Sequence, residues 1–108
     1  MVKELIIESK TKWLSGVKLK VVFTKYANTG NTAIVLKSLD DEPMYTATVN
    51  ITGYPLDKDE CFIKDYSENE GVLNTLIHAG IIKETDIRIK QGFVELTVCK
   101  ILKGLEND

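Results

Sequence analysis

Three side chains of this sequence could serve as nucleophile, base or soft metal ligand: Cys61, His78 and Cys99. A thiol works as a nucleophile only when a base or a cation makes it a thiolate. No local motif ties His78, the single histidine, to a cysteine or serine. Cys99 or Cys61 paired with His78 is therefore the enzymatic alternative, and two buried thiols with a surface histidine are the simpler reading. Zinc fits poorly, because structural zinc ligands come in close pairs while these three stand 17 and 21 residues apart. Asp57, Asp59 and Glu68 match loop positions one, three and twelve of a calcium-binding EF-hand. Cys61 and Phe62 then occupy the fifth position and the sixth, where the sharp turn needs glycine, so the match is chance. No catalytic residue, cofactor or metal ligand is expected, and the chain reads as a non-enzyme.

The densest chemistry is acidic. Asp57, Asp59, Glu60, Asp65, Glu68 and Glu70 put six carboxylates into fourteen residues, next to Tyr54 and Tyr66. Aromatic rings beside charges suit a protein interface, and acid density steers a basic partner. These eight residues form the candidate interaction surface. The simpler alternative is a solvated loop whose acids stabilise a helix start, with Tyr54 plugging the core.

Those residues must be held by something. Val17, Leu19, Val21 and Phe23 alternate with Lys18, Lys20, Val22 and Thr24 in the run up to Tyr26, the period of a strand with one face on a core. Ala27-Asn28-Thr29-Gly30-Asn31 is a turn, and Thr32 to Leu39 resumes the β pattern. After the turn Asp40-Asp41-Glu42-Pro43, Met44 to Ile51 predicts a third strand with Tyr45, Ala47, Val49 and Ile51 on one side. Ser67-Glu68-Asn69-Glu70 reads as a capping box, and Val72, Leu73, Leu76 and Ile77 as the apolar stripe of a helix over about 68–79 that closes at Gly80. Ile87 to Ile89 suits a short strand, Phe93 to Leu102 a longer one, and Leu5 to Ile7 is read as a strand rather than a helix. The expected fold is α+β: an antiparallel meander of four to six strands with one short helix packed on one face. The open face of that sheet is expected to be polar, rich in Lys18, Lys20 and threonines.

The chain's 108 residues suit a single domain over 1–108, with 1–3 and 104–108 frayed. Apolar residues at 44% and charged residues at 28% exclude a disordered or strongly charged class. Net charge is −2 but unevenly spread: +5 over residues 1–38, −7 over 39–76 and zero beyond. Lys18, Lys20 and Lys25 on the first hairpin raise weak nucleic-acid binding as another alternative, but no aromatic stripe accompanies them, so nucleic acid is not expected. No run approaches a membrane helix and no signal-peptide layout opens the chain, so a cytoplasmic location and no membrane are expected. The glycosylation pattern Asn50-Ile51-Thr52 then carries no meaning.

Several segments together carry a resemblance. They are Tyr26-Ala27-Asn28 before a glycine turn, Thr48-Val49-Asn50, and Ile63-Lys64-Asp65-Tyr66-Ser67-Glu68-Asn69-Glu70-Gly71. Ala79-Gly80-Ile81 and Gly92-Phe93-Val94 with Val98-Cys99-Lys100 complete the set. Over most of residues 17–102 the chain resembles small proteins, built on a domain of unknown function, from conjugative transposons, plasmids and phages of Firmicutes and Bacteroidetes. The resemblance implies a bacterial, cytoplasmic accessory protein of a mobile element, and supplies no catalytic residues. An adaptor or interaction module that modulates a host or element-encoded protein is the expected function.

Overall fold

The computed structural model describes residues 5–102; the ends expected to fray lie outside them. Among the described residues, eight strands form two antiparallel sheets, with one short helix, so the class is α+β and mostly sheet. The first sheet runs β1 (Leu5–Glu8), β2 (Lys18–Lys25), β3 (Thr32–Lys37), β4 (Pro43–Thr46) in chain order. The second has the order β5 (Thr48–Val49), β6 (Glu60–Ile63), β8 (Val94–Ile101), β7 (Ile82–Gln91). Helix α1 (Val72–His78) joins β6 to β7 after a 3₁₀ turn at Ser67–Asn69.

The expected third strand breaks at Ala47. Its N–H donates to Ile34 of β3 and its carbonyl accepts from Lys64, just past β6, each at 2.8 Å. One residue thus stitches the two sheets, and the chain leaves the first for the second. Tyr45 and Ala47 go to the main core as expected, whereas Val49 and Ile51 pack with Phe62, Leu96 and Val98 in a second cluster. The main core lies between the inner face of the first sheet (Ile7, Leu19, Val21, Ile34, Leu36), Cys61, Ile63, Cys99 and Ile101 of the second, and Val72 and Leu76 of α1. Burying these apolar faces against each other is what stabilises both sheets and a helix too short to persist alone.

The open face of the first sheet carries Lys18, Lys20, Lys37, Thr24 and Thr46, but also Val22, Val35 and the exposed Ile6. On the second sheet, β6 and most of β7 escape a reading by alternation. Glu60 to Ile63 is only four residues long, and β7 carries a bulge between Glu84 and Arg88 that resets the register. Phe93 is not in a strand: it sits in the two-residue turn between β7 and β8.

The helix stop is as expected. Gly80 takes a left-handed φ of 74°, its N–H donates to Ile77, and the Ile81 N–H donates to Leu76, the paired bonds of a Schellman motif. The helix start differs. Ser67 itself has φ 54° inside the 3₁₀ turn, and α1 begins five residues later, at Val72 behind Gly71. The capping box does not form, because neither Ser67 nor Glu70 reaches the amides that need an acceptor.

Candidate interaction surface

Asp65 caps the helix instead. Its Oδ1 accepts from the N–H groups of Gly71 (2.9 Å) and Leu73 (3.0 Å), satisfying helix donors that have no partner in the helix. Asn69 is buried, with its amide donating to the carbonyls of Thr46 and Lys64. Gly71 has φ 100°, and a Cβ there would stand 2.6 Å from the Thr11 Cα. The segment Asp65–Gly71 is therefore shaped chiefly by the fold. Glu68 and Glu70 remain exposed, in ion pairs with Lys64 (2.9 Å) and Lys12 (3.9 Å). The Lys64 ammonium, bonded to Glu68, holds that carboxyl below the ordinary range.

The eight expected surface residues do not form one patch. Strand β6 separates Asp57, Asp59 and Glu60 at its start from Asp65, Tyr66, Glu68 and Glu70 beyond its end. Asp59 pairs with Lys100 at 3.5 Å, and Glu60 accepts from the Asp57 N–H at 2.9 Å. Asp57 also lines a shallow polar cleft of about 150 Å³ with Lys25 and Lys58. Tyr54 packs edge-on against Phe62, 5.3 Å between ring centroids, and belongs to the second cluster, as the simpler alternative holds. Tyr66 packs on the same cluster with Lys64 over its ring at 5.4 Å.

Next to the 65–70 end stands a residue that the sequence reading did not select. Trp13 is 67% exposed, on the loop between β1 and β2. Buried hydroxyls hold that loop: Thr11 Oγ1 lies 2.8 Å from both Ser9 Oγ and the Tyr45 hydroxyl, and accepts from the Leu14 N–H at 3.2 Å. Two further bonds tie it to the helix region, the Lys10 N–H donating to Thr75 Oγ1 (2.8 Å) and the Lys12 N–H to the Glu70 carbonyl (3.0 Å). Lys12 places its ammonium 5.2 Å from the Trp13 ring centroid while pairing with Glu70. The available signal in sequence was a lone tryptophan inside the polar run Ser9 to Gly16. Phe93 was missed as well, and is fully exposed at its turn.

Cys61 and Cys99 face each other across β6 and β8, both buried. Burial pushes the Cys99 thiol up to about 12 and the Cys61 thiol in the same direction, so neither is a thiolate near neutrality. His78 lies exposed in the last turn of α1. Among the described residues no helix is long and apolar enough to cross a membrane. Comparison with protein-family models, with curated proteins and with solved structures finds no match.

Proposed function

We propose that this chain is a non-enzymatic protein-interaction module whose contact surface is Trp13 together with Asp65, Tyr66, Glu68 and Glu70. The observation that carries the reading is the exposure of Trp13 on a loop fixed by buried hydroxyls. Tryptophan is the side chain that most rewards burial in a partner, and a loop already held in place loses little entropy on docking. The inert state of both thiols weighs against the enzyme using Cys99 or Cys61 with His78. Binding of nucleic acid through the first hairpin is disfavoured by the acids beside its lysines: Lys20 bonds Asp41 at 2.6 Å, and Glu8 is the strand neighbour of Lys18. The resemblance supplies the setting: a bacterial cytoplasm, a mobile element, and a host or element-encoded protein as the target. Affinity capture from a host lysate tests the reading. Trp13→Ala should reduce the captured protein several-fold at unchanged melting temperature, while Lys90→Ala, far along β7, should not. Equal capture by the Trp13 variant would reject this surface.

A further inference from the structure

Two aromatic rings on this surface repeat one arrangement. Lys12 lies over Trp13 and pairs with Glu70, while Lys64 lies over Tyr66 and pairs with Glu68. In each, a cation rests on a π face and is tied to a carboxylate. The two carboxylates are two residues apart in the same segment. Such a set is complementary to positive charge: a ring face attracts a cation, and the carboxylate accepts its hydrogen bonds. Inside the molecule the role falls to lysines on flexible stems. The Lys12–Glu70 pair is long at 3.9 Å and exposed on both sides, so it holds Lys12 weakly.

We infer that the Trp13–Glu70 set is a receptor for a partner's arginine, with Lys12 as an internal occupant that the arginine displaces. This inference rests on the proposed interaction surface and names the chemistry of the partner, a basic and arginine-bearing protein segment. Arginine suits the set better than lysine. Its planar guanidinium stacks flat on the indole and can still donate two bonds to a carboxylate. Glu68 and Glu70, both exposed beside the ring, are the charges that would draw such a segment to this site.

Trp13 is the single tryptophan, so its fluorescence reports the site in the intact chain. A hexa-arginine peptide should change Trp13 emission saturably. Hexalysine should bind more weakly and hexaglutamate not at all. Raising salt from about 0.05 M to about 0.5 M should weaken the complex several-fold, because the pairing is exposed and screened. Lys12→Ala is the decisive variant: emptying the ring should tighten hexa-arginine binding by roughly two- to fivefold. Replacing Glu68 and Glu70 together by Gln should weaken it strongly. The same loss of two charges at Asp57→Asn with Asp59→Asn, beyond the other end of β6, should weaken it little. Absence of a saturable change, weaker binding by Lys12→Ala, or equal loss in the two charge-matched variants would each overturn the inference. Trp13→Ala separates the two levels of the argument. Should it lower capture from lysate while hexa-arginine leaves the native chain unchanged, the interaction surface stands and the arginine assignment falls.

Discussion

Trp13 and Phe93 are both large aromatic side chains standing in water, yet the fold holds them by different means. Around Trp13, four buried hydroxyls on Ser9, Thr11, Tyr45 and Thr75 fix a loop of otherwise irregular backbone. A buried hydroxyl without a partner costs free energy, so such a network specifies one conformation. Around Phe93 the backbone is a hairpin turn with φ 65° at Gly92, and only the glycine meets a conformational demand. The register pairs Gln91 with Val94, whereas β6 reaches only as far as Thr97 along β8, so the turn overhangs its neighbour. One aromatic is displayed by a specified platform and the other by a turn that would form with almost any residue in its place. Rigid display is the more informative of the two, because a positioned anchor is what binding selects.

The platform depends on a tight approach at Gly71, which leaves no room for a Cβ beside the Thr11 and Lys10 backbone. Gly71→Ala would add a Cβ 2.6 Å from the Thr11 Cα and 2.8 Å from the Lys10 carbonyl, at a φ of 100° that L-residues avoid. Backbone strain of about 1–2 kcal/mol adds to an overpacking cost of similar size. The largest destabilisation is therefore expected here, about 2–4 kcal/mol by chemical denaturation. The comparison predicts where the damage goes. Trp13 emission should shift as its loop is pushed off the helix, while amide exchange in the β7–β8 hairpin stays as it was.

Next in size are the two acceptors offered at the helix start. Asp65→Ala leaves the Gly71 and Leu73 amides unpaired and should cost about 1–2 kcal/mol. Ser67→Ala should lie within about 0.5 kcal/mol of the native chain, because that side chain caps nothing. A cost for Ser67→Ala equal to that for Asp65→Ala would return the capping role to serine. The capping box is a pattern of residue types at fixed spacing, and Ser67 to Glu70 satisfies it. What it cannot register is that Asp65 gains two amides by reaching over a 3₁₀ turn, or that Gly71 must meet Thr11.

The same limit runs through the rest of the molecule. Alternation located β2, β3 and β8 within a residue or two, since each keeps an apolar side on the core throughout. It missed the sheet change at Ala47, where the inward pattern continues through Val49 and Ile51 but the core beneath becomes a different one. Of β7 it caught only Ile87 to Ile89, because the bulge after Glu84 shifts the phase within one strand. The acidic stretch was legible as composition but not as geometry: β6, only four residues long, parts it in two. Trp13 was hidden for another reason. The loop that displays it is ordered by contacts to Tyr45 and Thr75, distant in sequence, and no local pattern records them.

The smallest effect on stability is expected at the other aromatic. Phe93 buries nothing, so Phe93→Ser removes no packing, and the second position of this turn accepts small polar residues readily. Gly92 keeps the positive φ on which the turn depends. Unfolding free energy should therefore change by less than about 0.5 kcal/mol, with any change toward greater solubility as an exposed apolar group is lost. Trp13 emission and hexa-arginine binding should not move, since no described contact links the hairpin tip to the 9–16 loop. A loss of more than about 1 kcal/mol would mean that Phe93 is buried in solution, by its own chain or by a second copy. Sedimentation of native and Phe93→Ser protein over a range of concentrations tells those two apart. A native chain that self-associates, beside a variant that does not, would make the tip rather than the platform the stronger contact, and the contrast between the two aromatics would reverse.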